Sequence, residues 1–201
     1  MNAGMRSDEC LILEERLDYR FRDPGHLQEA LQHASYVNEH PGRGLLDNER
    51  LEFLGDAVLT LVVSHALMER YPEMSEGELS RTRAVLVNEA NLAALARRIQ
   101  LGAHLRLGRG ELQTRGREKS SILSDAFEAL VAAIYRDGGF EAAYRTITGR
   151  FAFIFEGLGQ PGEHLTRRRT EAHTDADLVG TRTHAEREHR RDADRGDHQR
   201  Q

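Results

Sequence analysis

The sequence NERLEFLGDAVL, which spans residues 48–59, decides the fold of this chain. Apolar residues continue beyond it as far as Leu67 at the spacing of an α-helix. Asn48 is a favoured N-cap residue, and Pro72 disfavours helix at the residue before it. The stretch therefore predicts one long, apolar helix that begins after Asn48 and ends before Pro72.

Acidic residues interrupt this apolar helix. Glu49, Glu52 and Asp56 are three and four residues apart, so they share one side of the helix. A second pair, Asp125 and Glu128, is spaced three apart among apolar residues of a later segment. Like charges away from water are mutually unfavourable, and a divalent cation would compensate them. Two carboxylate pairs on two packed helices suit Mg²⁺ and point to metal-assisted phosphoryl chemistry.

Spacing alone leaves an alternative open for these acids. They are also typical of a solvated helix face, or of ion-pair partners for Arg50, Arg81 or Arg83. The chain has no cluster of Cys and His that would favour zinc instead of magnesium.

Helix signals recur along the rest of the chain, and strand patterns are hard to find. Asp23 followed by Pro24 predicts the start of a short helix that ends near Ser35. Residues 36–47 are predicted to be a loop. Ser75 and Asn88 are predicted N-caps of two amphipathic helices. The predicted fold class is all-α.

A basic segment follows these helices. Residues 106–119 combine three glycines with the cations of Arg106, Arg109, Arg115, Arg117 and Lys119. This composition predicts a mobile basic loop. Ser120 or Ser121 then begins a helix that the pair Gly138 and Gly139 ends, and a last helix is predicted from Phe140 to about Phe155.

Composition predicts one domain followed by a tail. Large apolar residues are dense from Leu11 to Leu158, which predicts a domain over residues 8–158, whereas residues 159–201 are polar and predict disorder. The first residues lack the apolar core of a signal peptide, and the longest apolar run, residues 57–63, is too short to span a bilayer. The single cysteine, Cys10, excludes an internal disulfide. We therefore expect a soluble, cytoplasmic protein without a membrane segment.

Several ordered motifs resemble the bacterial ribonuclease III family. After residues 48–59 come Glu76-Gly77-Glu78-Leu79-Ser80, then Leu105-Arg106-Leu107-Gly108, then the second acidic block at residues 119–130. The resemblance covers residues 11–158. It implies the helical, dimeric endonuclease domain of that family.

The resemblance also implies roles for individual residues. It implies a magnesium-binding cluster of Glu52, Asp56, Asp125 and Glu128, with Mn²⁺ as a substitute ion. Asp56 and Glu128 are expected to matter most for the chemistry, while the other two are chiefly metal ligands. Glu49 and Glu76 match supporting acids near the dimer and the cleavage valley. The alternative interpretation is that each of these two residues is a surface acid in a first helical turn, where the helix dipole favours a negative charge.

The implied activity is hydrolysis of double-stranded RNA that leaves 5′-phosphate and 3′-hydroxyl ends, in the processing of ribosomal RNA precursors and messenger RNA. The implied partners are duplex RNA and a second copy of the chain, with no nucleotide cofactor. The net charge of −5 would repel RNA overall, so RNA affinity must come from local patches. Arg106, Arg109, Arg115, Arg117 and Lys119 are candidate phosphate contacts, and a merely solubilising loop is the alternative.

The sequence departs from the family after Gly159. Bacterial members usually continue into a double-stranded RNA-binding domain, whose pattern does not appear in residues 159–201. A natural short form and a reading-frame change are the two interpretations. Two other functions stay open at this point: a non-catalytic, dimeric RNA-binding or ribosome-associated relative with the same fold, and an unrelated helical metal-binding bundle.

Overall fold

The computed structural model describes residues 8–150 and residue 152, and within them the chain is helical. The α-helices are α1 (Asp8–Leu17), α2 (Pro24–Ala30), α3 (Ala34–Asn38), α4 (Glu49–Arg70), α5 (Glu76–Leu86), α6 (Glu89–Arg98), α7 (Leu101–His104), α8 (Arg109–Gln113) and α9 (Ser120–Arg150). A 3₁₀ turn, Gly116–Glu118, lies between α8 and α9. The described residues contain no strand and one isolated β-bridge, between Gln32 and Arg106. The all-α prediction is confirmed, while the predicted tail, residues 159–201, lies outside the described part of the chain.

Helices α4 and α9 form the centre of the domain. They pack against each other along their length, and α9 also packs against α6 and α2. Their contact surfaces are apolar and closely packed, with Leu51, Val58, Val62, Phe127 and Leu130 nearly inaccessible to water. Burial of such side chains contributes about 1.5–3 kcal/mol each, so the packing of this pair of helices contributes strongly to stability.

Helix α4 confirms the helix predicted from residues 48–67. Its N-cap, Asn48, uses its side chain elsewhere: Nδ2 donates to the Ala30 carbonyl at 3.4 Å, and the Asn48 N–H donates to the Gln32 carbonyl at 2.8 Å. Asp47 Oδ1 accepts the Glu49 N–H at 3.2 Å instead. The start of α4 is therefore tied to the residues at the end of α2.

Three other predicted helix starts are confirmed by their hydrogen bonds. Asp23 Oδ1 accepts the Gly25 N–H at 2.8 Å, and Asn88 Oδ1 accepts a backbone N–H three residues on at 2.8 Å. At the start of α5, the Ser75 hydroxyl and N–H both donate to Glu78 Oε2, at 2.7 and 2.8 Å. These two bonds lower the pKa of Glu78.

Two predicted loops are shorter than expected. Residues 36–38 belong to α3, whose N-cap His33 accepts the Ser35 N–H. Residues 109–113 and 116–118 are helical, so the prediction of a mobile loop over residues 106–119 was wrong there. The physical reason is close packing: a Cβ atom at Gly116 would lie 2.9 Å from the Glu111 carbonyl oxygen. This glycine serves packing between neighbouring turns.

Helix α9 is broken at Gly139, where φ is 78° and ψ is −174°. These angles are not helical, so the predicted pair of helices on either side of this glycine is confirmed. L side chains rarely adopt a positive φ, which is why a glycine occupies the break. The predicted end of the second helix, near Phe155, lies outside the described residues. The break leaves Asp125 and Glu128 on the first half of α9.

Asp137, beside this break, ties α9 to the segment after α1. Its carboxylate accepts hydrogen bonds from the Tyr19 hydroxyl at 2.6 Å and from the N–H groups of Arg22 and Asp23 at 2.9 and 2.8 Å. Burial alone would raise the pKa of Asp137, but the three hydrogen bonds outweigh it and hold that pKa below its usual value. Burial and the bond to Asp137 raise the pKa of Tyr19.

By length and composition alone, α4 passes a test for membrane-spanning helices, the only helix of the described residues to do so. Half of its most apolar 18-residue stretch is buried inside the fold, and core helices of soluble proteins pass the same test.

Candidate metal centre

Three acidic side chains from the two central helices converge on one point. Glu52 comes from α4, and Asp125 and Glu128 come from α9. One carboxylate oxygen of each residue lies within 4.8 Å of those of the other two. Glu52 and Glu128 are only 5% and 4% exposed, and Asp125 is half-buried. We call these three residues the acidic cluster.

A glycine brings the two helices close enough to form the acidic cluster. A Cβ atom at Gly55 would lie 1.9 Å from the carbonyl oxygen of Glu128 and 2.4 Å from its carbonyl carbon. The backbones of α4 and α9 therefore touch at this point, with no room for a side chain. Because Gly55 lies almost one turn after Glu52, the contact brings the Glu52 and Glu128 side chains to the same end of the helix crossing.

The chemistry of the acidic cluster suits a hard divalent cation. Three carboxylates this close, and largely removed from water, repel one another. A bound cation offsets that repulsion, and Mg²⁺ or Mn²⁺ prefers such oxygen ligands. The donor set therefore fits the magnesium ion that the family resemblance implies.

A buried hydroxyl lies beside Asp125. Ser124 Oγ donates to the Ser121 carbonyl at 2.9 Å and lies 3.3 Å from Asp125 Oδ1. Ser124 is 1% exposed, so its hydroxyl has little freedom to move. This contact restricts the position of the most exposed carboxylate of the acidic cluster.

The other predicted acids lie outside the acidic cluster. Asp56 is one turn after Glu52 on α4, and its side chain is exposed. Glu49 is half-buried at the start of the same helix. Glu76 is exposed in the first turn of α5, where Oε1 accepts the Ser80 hydroxyl at 2.8 Å. The structure thus brings together three of the four predicted metal ligands.

The five cations predicted to contact RNA fall into two groups. Three of them have exposed side chains: Arg106, Arg109 and Arg115. Arg117 Nη1 donates to the carbonyls of Gly102 and Ala103 at 2.6 and 2.8 Å. Lys119 Nζ pairs with Glu111 at 2.7 Å. The last two cations are engaged within the fold, so the first three are better placed to meet a ligand.

The sequence pattern predicted no role for Gly55, although the acidic cluster depends on it. A signal was available, because a glycine inside an apolar helix is unfavourable unless another backbone approaches closely. It also missed Ser35 and Glu39, whose side chains accept the N–H groups of Gly108 and Arg109. No local signal identifies these contacts, since the partners are 70 or more residues apart in sequence.

The family model and the curated relatives that match this chain point to the same protein family. The model of the Ribonuclease-III-like family matches residues 23–153. The chain is 57% identical over 129 residues to Ribonuclease 3 of Desulfotalea psychrophila, covering 64% of this chain and 53% of that protein. It is 50% identical over 145 residues to Ribonuclease 3 of Syntrophobacter fumaroxidans, covering 72% and 60%. The chain thus spans little more than half the length of these curated relatives.

Solved structures agree with the sequence relatives. Two solved structures of the nuclease domain of ribonuclease III from Campylobacter jejuni are similar to this chain, with TM-scores of 0.66 and 0.65. Sequence identities are 41% and 40%. The matches cover 72% and 78% of this chain, and 97% and 99% of those chains.

Proposed function

Because this chain belongs to the ribonuclease III family, we propose that it is an endonuclease that hydrolyses double-stranded RNA at the acidic cluster. The single observation that carries the proposal is the convergence of Glu52, Asp125 and Glu128 within 4.8 Å across the helix contact at Gly55. Packing alone does not require three like charges there. A cation-dependent activity gives them a physical reason.

We assign Glu52, Asp125 and Glu128 as the magnesium ligands, with Mn²⁺ as a substitute. A bound ion would lower the pKa of a water molecule and stabilise the oxygen that leaves phosphorus. The protein's own contribution is to hold the three carboxylates together and to keep bulk water away from Glu52 and Glu128. Asp56 is exposed on α4, one turn after Glu52. We assign it as the fourth acid of the reaction.

The expected products carry 5′-phosphate and 3′-hydroxyl ends, as the family resemblance implies: water attacks phosphorus, the bond from phosphorus to the 3′ oxygen breaks, and no side chain is modified. The exposed Arg106, Arg109 and Arg115 supply phosphate contacts. Such contacts carry no base information, so recognition by A-form shape is expected. Ribosomal RNA precursors and messenger RNAs in the cytoplasm are the substrates that the family suggests.

An exposed apolar stripe on α4 supports a homodimer. Phe53, Leu61 and Met68 are 66%, 54% and 64% exposed, and their spacing places them on one side of the helix. Apolar side chains repeated along one face are typical of a protein interface. One of the Campylobacter jejuni structures is described as having a region involved in dimer formation. A two-fold dimer through this face would offer one acidic cluster to each strand of a duplex.

The test is cleavage of an end-labelled RNA duplex by the purified full chain, in Mg²⁺ and in EDTA. The informative variant is Glu128→Gln, and the matched control is Glu141→Gln. Glu141 is an exposed acid on the same helix, 3.8 Å from Arg145. We expect cleavage by the wild-type protein and by the control in Mg²⁺ only, with 5′-phosphate ends. Glu128→Gln should lose at least about a hundredfold in rate, because the amide removes the negative charge of a proposed metal ligand.

Cleavage by Glu128→Gln at the wild-type rate would contradict the assignment of the acidic cluster. Duplex binding without cleavage, unchanged between Mg²⁺ and EDTA, would favour the non-catalytic RNA-binding relative. Absence of both binding and cleavage would refute the proposed function.

A further inference from the structure

The segment that carries the exposed arginines is hydrogen-bonded to one short stretch of chain, residues 31–39. The Gly108 N–H donates to Ser35 Oγ at 2.9 Å. The Arg109 N–H donates to Glu39 Oε1 at 2.7 Å. Helix α3 therefore holds the first residues of α8 through two side chains. We call Ser35 and Glu39 the α3 clamp.

The contact at the α3 clamp is close as well as hydrogen-bonded. A Cβ atom at Gly108 would lie 2.6 Å from Glu39 Oε1 and 2.7 Å from the Ser35 carbonyl oxygen. No side chain fits between α3 and α8 at this point. Any larger residue at position 108 must push the two segments apart.

The same stretch of chain is also hydrogen-bonded to the start of α4, the helix that carries Glu52. The Arg106 N–H donates to the Leu31 carbonyl at 2.9 Å, and the His33 N–H donates to the Arg106 carbonyl at 3.1 Å. One residue away, the Gln32 carbonyl accepts the N–H of Asn48, the N-cap of α4, at 2.8 Å. Residues 31–39 thus connect the backbone of Arg106 and Arg109 to the start of the helix that carries Glu52.

We infer that Ser35 and Glu39 are positioning residues that hold Arg106 and Arg109 at a set distance from the acidic cluster for binding of duplex RNA. The inference rests on the proposed function and adds to it the residues that place the phosphate contacts. Neither residue touches the reacting atoms. Their loss lowers affinity for the duplex and leaves the chemical step intact.

The charge of Glu39 makes this inference unusually easy to test. An acid beside an RNA-binding surface repels RNA, so removal of its charge alone strengthens binding. A positioning role predicts the opposite sign for Glu39→Ala, because the hydrogen bond to Arg109 is lost. Glu39→Gln removes the charge but keeps an oxygen that accepts this bond. The two substitutions therefore separate electrostatics from position.

The experiment measures binding of a fluorescein-labelled RNA duplex by anisotropy in EDTA, then kcat and KM for the same duplex in Mg²⁺. The variants are Glu39→Ala, Glu39→Gln and Gly108→Ala in the full chain. Glu118→Ala is the charge control, since Glu118 is an exposed acid of the same basic segment, 4.0 Å from Arg115. Loss of one net hydrogen bond corresponds to about a three- to tenfold change in an equilibrium constant.

We expect Glu39→Ala and Gly108→Ala to raise Kd and KM about three- to tenfold with kcat unchanged. Glu39→Gln and Glu118→Ala should bind as tightly as the wild-type protein or more tightly. In an Arg106→Ala, Arg109→Ala background, Glu39→Ala should no longer raise Kd. That lack of additivity is not expected of a residue that merely stabilises the fold.

Tighter binding by both Glu39→Ala and Glu39→Gln would overturn the inference, because it would make Glu39 only a repulsive charge. A fall in kcat with unchanged KM would also overturn it. Both outcomes need a wild-type protein that binds and cuts the duplex. Failure of the wild-type protein in the same assay refutes the proposed function instead, so the two failures are distinguishable.

Discussion

The contact between Gly55 and Glu128 makes Gly55→Ala the most informative single substitution. The added Cβ atom would lie 1.9 Å from the Glu128 carbonyl oxygen, whereas real Cβ contacts are essentially never under 3.0 Å. The backbones of α4 and α9 must therefore separate by about 1 Å or more. No flexible side chain lies at this contact to absorb the change, since the opposing atoms belong to the backbone.

The expected energetic cost follows from two opposing effects. Overpacking of a core contact costs about 1–3 kcal/mol, and a backbone collision belongs at the upper end of that range. Alanine in place of glycine inside a helix recovers up to about 1 kcal/mol. The net loss is about 2 kcal/mol, which for a domain of this size lowers Tm by about 4–8 °C. A displacement of about 1 Å at the acidic cluster should also reduce cleavage about a hundredfold.

The matched control is Gly149→Ala, which lies on α9 and has no atom of the described part of the chain within 4 Å of its Cβ position. Thermal melts of both variants in EDTA and in Mg²⁺ provide the measurement. Ligand binding raises Tm through its affinity for the folded state, so the rise caused by Mg²⁺ reports on the acidic cluster. We expect Gly149→Ala to keep that rise and Gly55→Ala to lose most of it. A Gly55→Ala protein with the wild-type Tm and the wild-type response to Mg²⁺ would refute the reasoning.

Four further substitutions test separate parts of the structure. Asp137→Asn should destabilise the fold by about 1–3 kcal/mol at pH 7 in urea melts. The pKa of Asp137 is lower in the folded protein than in the unfolded chain. The stability that its carboxylate contributes is therefore present above the unfolded pKa of about 4 and is lost as pH falls through the folded pKa. The difference in stability between Asp137→Asn and the wild-type protein should shrink over that pH range. Glu128→Gln should raise Tm in EDTA, because it removes one of three neighbouring like charges, and a lower Tm would contradict this. Arg106→Ala should reduce the slope of the logarithm of RNA affinity against the logarithm of salt concentration by about one, the contribution of one phosphate contact. Arg117→Ala should chiefly lower Tm.

The features that sequence analysis predicted correctly are those with local causes. The apolar spacing after residue 48 and Pro72 were sufficient to predict α4, although the Asn48 side chain does not cap it. The capping side chains of Asp23 and Ser75 were sufficient for two other helix starts. The break at Gly139 also follows from residue type alone. Each of these depends on neighbours within a few residues, which the sequence displays directly.

The features that sequence analysis missed depend on contacts between distant segments. Residues 109–113 are helical although glycines flank and interrupt them, because Ser35 and Glu39 accept the first N–H groups of that helix. The division of the basic residues also has a distant cause. Arg117 donates to carbonyls of α7, which uses its charge within the fold. Composition predicted a basic segment, but it does not show which cations are exposed and which are bonded to other groups within the fold.

The position of Asp56 follows from the same contact that forms the acidic cluster. Residues of an α-helix advance by about 100° each, so Glu52 lies about 60° around α4 from Gly55, and Asp56 lies about 100° from it. Gly55 marks the line along which α9 touches α4, so the residue closer to that line is covered by α9 and the other faces solvent. Spacing three and four apart correctly put the acids on one side of α4, but only the direction of α9 decides that Glu52 is buried while Asp56 stays exposed. A helix crossing set by one glycine therefore leaves Glu52 buried against α9 and Asp56 exposed to solvent on the same helix.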